Sequence, residues 1–204
     1  FAGVILLAPL GRAAVAELAE LLGQRGYGGL PRTPAEAAMA AIGAAVAEDL
    51  CVLNPSGARY KLTAAVLCFP NRWRLSDKIG RELLAVHGPV PDYPNRLALR
   101  VDRFLQRLRP LRLLVRHNWG LASRSDLHLP HAIPPVDPTR DEYFFLRTEE
   151  QGFVKLPQSE AVIFSIRTTI VPWSDVPEDR RSALKAATAK LSPAWLAYKS
   201  IVPG

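Results

Sequence analysis

At residue 49 the hydrophobic pattern changes period. Residues 33–49, TPAEAAMAAIGAAVAED, repeat their apolar positions as a helix does. Asp49–Asn54 and Arg59–Phe69 are instead short apolar runs of strand type, split by Pro55-Ser56-Gly57. Two such runs around a turn read as a β-hairpin. A hairpin needs further strands to bury its face, so the rest of the chain must supply them.

Three more strand candidates follow, Leu111–Leu121, Glu142–Glu149 and Glu160–Val171. Between hairpin and strands lie a helix opened by Ser76 and running to His87, a proline-rich link, and NRLALRVDRFLQRLRP. In that last segment Leu97, Val101, Phe104, Leu105 and Leu108 form one apolar stripe. Arg96, Arg100, Arg103 and Arg107 fall outside the stripe, as on a solvated helix face.

The N-terminal helix spans residues 13–25 and closes at Gly26. Thr33, Pro34 and Glu36 read as cap, first turn and capping box of the next. A helical portion covers 177–200, with Ser192-Pro193 opening its last turns. The order two strands, two helices, three strands gives an α+β class. It suggests a PAS-like twisted antiparallel sheet crossed on one face by helices that enclose a ligand cavity. The expected division is 1–47 helical, 48–171 core and 172–204 helical extension.

Charge narrows the ligand. The chain carries 26 basic and 19 acidic side chains among 204 residues. Between Arg72 and Arg124 stand eleven arginines and one lysine against Asp77, Glu82, Asp92 and Asp102. That segment attracts anions. Lysine-rich arms, aromatic platforms and nucleic-acid modules are missing from the sequence, so a small carboxylate or phosphate ligand suits arginine better.

Cys51 and Cys68 sit in apolar runs and read as small buried hydrophobes, although they could pair across the hairpin. Two thiols cannot hold an iron–sulfur cluster of the usual kind. A reducing, cytoplasmic location is the default. The apolar FAGVILLAPL and AAMAAIGAAVA are too short to span a membrane. With no basic lead or start methionine before Phe1, the chain is expected to begin within a longer protein.

Several segments carry a resemblance. They are EDLCVL at 48–53, YKLTAAVLCFPNRWRLSDKIGRELLAVHGPVPDY at 60–93 and VDRFLQRLRP at 101–110. RHNWGL at 116–121, LRTEEQGFVKLPQSEAVIFSIRT at 146–168 and AYK at 197–199 complete the set. In this order they resemble the haem-dependent oxidative N-demethylase family, specifically its haem-bearing oxygenase (alpha) subunit and relatives.

The resemblance implies a PAS-like fold, haem b with a histidine on its iron, and removal of a methyl group from a small secondary amine such as dimethylamine. Dioxygen is consumed and formaldehyde released. No Gly-x-Gly-x-x-Gly fingerprint occurs in the sequence, so electrons would come from a separate NAD(P)H-linked reductase.

His87 alone among the four histidines lies in the family's His-x-Pro-Val-Pro pattern, and it is the expected metal ligand, with His117 in reserve. His128 and His131 lie on the long loop. A histidine closing a helix is also an ordinary cap. Arg72, Arg74, Arg81 and Arg116, with Lys78, are the candidate partners of the haem propionates. Trp73, Asn118 and Trp119 would line the cofactor site.

Glu149 matches the family's glutamate and would hold the substrate ammonium and accept its proton, with Arg147 and Gln151 orienting it. A solvent-facing strand edge would show the same alternating charges. Glu150 stands where the family has an arginine, and Gly152-Phe153 replaces a more polar pair. These departures leave a non-catalytic haem or small-ligand sensor as the alternative, and a cofactor-free interaction module as a third.

Overall fold

The computed structural model describes residues 4–140 and 144–202. Its strands are β1 (Ile5–Leu7), β2 (Asp49–Ser56), β3 (Arg59–Val66), β4 (Leu114–Ala122), β5 (Phe145–Lys155) and β6 (Val162–Pro172). They form one antiparallel sheet in the order β1-β3-β2-β6-β5-β4. The class is α+β, as the sequence indicated. Of the expected strand at 142–149, residues 142–143 lie outside the described residues.

The β2–β3 hairpin turns tighter than expected. Ser56 pairs with Arg59, so the loop is Gly57-Ala58, and Pro55 and Ser56 belong to the strand. Gly57 takes φ +61°, a conformation that glycine adopts without steric cost. β3 stops at Val66 rather than Phe69. There the Asp49 carboxylate accepts the backbone N–H of Cys68 at 2.6 Å and that of Phe69 at 3.1 Å, turning the chain off the ladder.

Helices α1 (Arg12–Gln24) and α2 (Ala35–Ala45) cover one sheet face. Val15, Met39 and Ile42 pack there against Leu50, Val52, Val66 and Ile163. The expected cap of α2 is different. Pro34 takes the N-cap with extended backbone, and Glu36 pairs with Arg12 at 2.6 Å across to α1. β1, three residues within the apolar run FAGVILLAPL, ties this N-terminal portion to β3.

The opposite face packs Leu53, Leu62, Phe153 and Phe164 against Leu75, Leu83, Val86 and Leu105. The single helix expected from Ser76 to His87 is broken. A 3-10 turn covers Leu75–Asp77, and the one-turn helix α3 (Leu83–Val86) follows. β1 is too short to cover Leu62. Gly80 N–H donates to Leu62 O at 2.6 Å, and Leu62 N–H to Arg81 O at 3.0 Å. These bonds pin residues 80–81 beside β3 and keep them out of a helix, with Gly80 in a turn at φ +79°.

A π-turn at Tyr93–Leu97 leads into α4 (Ala98–Gln106). Beyond the sheet, α5 (Glu178–Thr188) and α6 (Pro193–Lys199) pack over Leu121, Phe144 and Trp173. Ser192 caps α6 as expected. Cys51 and Cys68 are free thiols packed into opposite-face clusters, which rules out the disulfide. Among the described residues no helix is long and apolar enough to cross a membrane.

Candidate functional site

Strand side chains alternate between faces, so Arg147, Glu149, Gln151 and Phe153 share one face of β5. Their β4 partners are Gly120, Asn118, Arg116 and Leu114. Ile166 of β6 opposes both Gln151 and Asp49, which puts Asp49 on the same face. Phe153 packs there with Leu83 and Val86, so the turn carrying His87 covers this face. Six candidates, His87, Arg116, Asn118, Arg147, Glu149 and Gln151, from three separate segments thus meet on one surface.

Glu149 is held by amides. Its Oε2 accepts from Gln151 Nε2 at 2.7 Å and from Asn118 Nδ2 at 3.3 Å. Gln151 Oε1 in turn accepts from Arg116 Nε at 2.6 Å. The carboxylate is half-buried and keeps its other oxygen outside this chain of bonds.

Arg147 is buried at 2% exposure, and it braces the backbone. Nη1 donates to Leu127 O at 3.0 Å and Nη2 to Phe69 O at 2.7 Å. Its Nε, also buried, finds no partner among the described residues. Burial pushes the fully buried Asp49 carboxyl up to about 6, opposed by the Cys68 and Phe69 amides and the Arg147 charge. Arg147 therefore lies buried on the same sheet face, where its charge interacts with both carboxylates.

His87 closes α3, and its Nδ1 lies 2.9 Å from Leu83 O. A carbonyl oxygen only accepts, so Nδ1 carries the proton. Nε2 has no hydrogen-bond partner among the described residues. Burial lowers the imidazole's affinity for a second proton; the Leu83 bond raises it, and the Lys78 and Arg116 charges lower it further. The ring stacks on Tyr93 with centroids 4.5 Å apart and 17° between planes. Lys78 Nζ sits 4.7 Å over the Trp73 ring, beside the same cluster.

A second edge of the site comes from α6. Arg72 Nη1 donates to Ser200 Oγ at 2.6 Å, and its guanidinium lies 5.9 Å from the Tyr198 ring centre. Lys199 Nζ donates to Trp119 O at 2.6 Å and stands 4.8 Å over the Trp119 ring. Burial lowers the proton affinity of both cations, and the Glu149 charge raises it.

Some candidates do not join the cluster. Arg74 is spent on Asp77 at 3.0 Å, and the Arg81 side chain is exposed. Trp119 and His117 pair with Thr148 and Glu150, on the other face from Glu149. His128 Nδ1 contacts Cys68 O at 2.9 Å, and His131 is exposed. A groove of about 580 Å³ between α4 and β4 is lined by none of the candidate residues.

Asp49, Tyr93, Tyr198 and Lys199 were missed in the sequence. Their signal was available, because they sit in EDLCVL, VPDY and AYK, three of the resembling segments.

Among the described residues no group of three or more His, Cys, Asp or Glu could cage a metal. A porphyrin supplies four nitrogens of its own and asks the protein for one axial donor. A neutral imidazole with its proton fixed on Nδ1 and a free Nε2 fits that demand, and Lys78 and Arg116 nearby suit propionates. Fold and site together define an α+β protein whose sheet face presents a lone imidazole and an amide-held carboxylate. The chain belongs to the family described as haem-dependent oxidative N-demethylase, alpha subunit-like, whose model matches residues 12–203. No curated protein matches it.

Proposed function

We propose that this chain is the haem b-bearing subunit of a monooxygenase that removes a methyl group from a small secondary amine such as dimethylamine. The observation that carries this reading is the state of His87: neutral, proton on Nδ1, Nε2 free. A hydrogen bond from the remote ring nitrogen fixes the tautomer and orientation of a ligating histidine. Family membership supports the haem dependence. The strand order, with β2 of the hairpin central beside β6, supports a PAS-like core at 48–171 flanked by 1–47 and 172–204.

Haem, when bound, supplies activation of dioxygen: with two electrons and two protons, one oxygen atom enters the N-methyl group, which leaves as formaldehyde, and the other becomes water. This chain's residues do the rest. His87 Nε2 would hold the iron, with Lys78 and Arg116 toward the propionates. Trp73 walls the site beneath Lys78, and Arg72, bonded to Ser200, feels the Glu149 charge.

Glu149 would hold the dialkylammonium and take its proton, leaving the amine neutral for oxidation. Asn118 and Gln151 fix the carboxylate, Arg116 fixes Gln151, and Arg147 steadies the face behind them. Electrons come from an NAD(P)H-linked reductase outside the chain.

Haem-reconstituted protein supplied with dimethylamine, oxygen and an artificial electron donor should release formaldehyde. Glu149→Gln keeps two hydrogen-bonding positions but not the charge, and should retain haem while losing about 10²-fold or more of the rate. Absence of formaldehyde from the haem-loaded parent would make the protein a haem sensor. Full activity in Glu149→Gln would remove the proton acceptor from this position.

A further inference from the structure

The groove between α4 and β4 has a floor of Phe104, Leu108 and Leu114, and a rim of Arg100, Arg103, Arg107, Arg109 and Arg112. None of these arginines pairs with a carboxylate among the described residues. The one acid of α4, Asp102, turns inward to Arg59 at 3.5 Å. Uncompensated arginine around an apolar floor calls for an acidic complement.

The surface also extends beyond a small-molecule pocket. Leu99, Phe104 and Leu114 are 58%, 41% and 38% exposed. β4 ends the sheet, and no further strand pairs with its outer side among the described residues. Such an edge invites another chain. A second copy fits poorly, because a two-fold contact would set arginine row against arginine row. Nucleic acid fits less well, since the groove is lined by one aromatic ring, Phe104, where single-strand binding uses a succession of them.

Position supplies the remaining argument. Phe104 contacts Phe153 at 5.5 Å, and Phe153 stacks on Phe164 at 4.8 Å. Both inner rings pack in the cluster that holds Leu83 and Val86, the turn ending in His87. A partner on this groove sits on the His87 side of the sheet.

We propose that the α4–β4 edge is the docking surface for an acidic electron-transfer protein, which sets an apolar anchor on Phe104 and Leu114 and its carboxylates on the five arginines. The partner's identity rests on the proposed function, since only an electron-consuming chain without flavin or cluster needs such a donor.

The test is calorimetric titration of haem-free and haem-loaded protein with a plant-type ferredoxin, a small acidic carrier, as probe. The parent binds at low salt and weakens at high salt. Arg103→Glu/Arg107→Glu weakens binding about tenfold or more, and Leu114→Asp weakens it several-fold, with haem uptake unchanged in both.

No binding by the parent, or equal binding by the charge-reversed variant, would overturn the proposal. So would loss of haem uptake in that variant, or tighter binding of a single-stranded oligonucleotide at these arginines. The haem-free titration reads docking without turnover, so failed demethylation leaves docking intact. Formaldehyde formed with an artificial donor would leave the proposed function intact if docking fails.

Discussion

Nδ1 of His87 lies 2.9 Å from the carbonyl oxygen of Leu83, one helical turn back in the same short segment. That contact assigns the ring proton and frees Nε2. Burial, with help from Lys78 and Arg116, keeps the ring from taking a second proton. Below the ordinary histidine range the unfolded chain gains that proton more readily than the folded one, so stability falls as pH drops. An NMR titration should find His87 titrating below the ordinary histidine value; a midpoint above that value would contradict the assignment.

Tyr93 supports the imidazole with its ring and not its hydroxyl. The hydroxyl oxygen is buried without a partner among the described residues. Tyr93→Phe should therefore keep haem affinity and leave stability unchanged or raised by about 1 kcal/mol in urea unfolding. A clear loss of stability would mean that the hydroxyl is satisfied.

Asp49 should behave opposite to a surface carboxylate. Its folded value is about 6, against roughly 4 for an unfolded aspartate. The folded state holds the extra proton between those values. The stability Asp49 contributes is complete below about pH 4 and fades as pH rises through 6, by roughly 1.4 kcal/mol per unit. Carboxyl NMR should place Asp49 near 6 and Arg147→Met should move it higher, because the guanidinium was lowering it. A midpoint near 4 would count against this.

Gly43 sets the approach of α2 to the sheet. A Cβ there would meet the Val66 side chain at 2.7 and 2.8 Å. Valine is stiff at χ1, so Gly43→Ala should cost about 1–3 kcal/mol despite alanine's better helix propensity. Equal or greater thermal stability in the variant would show that the contact relaxes freely.

The hairpin and the β4–β6 strands were legible because alternation is a local signal. α3 was not, since Gly80 and Arg81 hydrogen-bond to Leu62, a tertiary event that overrides helical periodicity. β1 was hidden for a related reason: three residues pairing with Val66, Ala65 and Ala64 leave no pattern of their own.

Within the site, Arg147, Glu149, Gln151 and His87 were legible through the resemblance, each lying in a matching segment. Asp49 and Lys199 also lie in resembling segments, but nothing local marked their roles: that of Asp49 is its burial, and Lys199 reaches Trp119 over 80 residues of sequence. The arginines of α4 looked like a solvated face, and only β4 beside them makes a groove.

Haem titration of the apo protein, followed by its absorption spectrum, bears most directly on the role of His87. The parent should take up one haem with a strong Soret band. His87→Ala should lose that band and regain it with added imidazole, while His117→Ala behaves as the parent. A His87→Ala protein that binds haem with an unaltered spectrum would contradict the account.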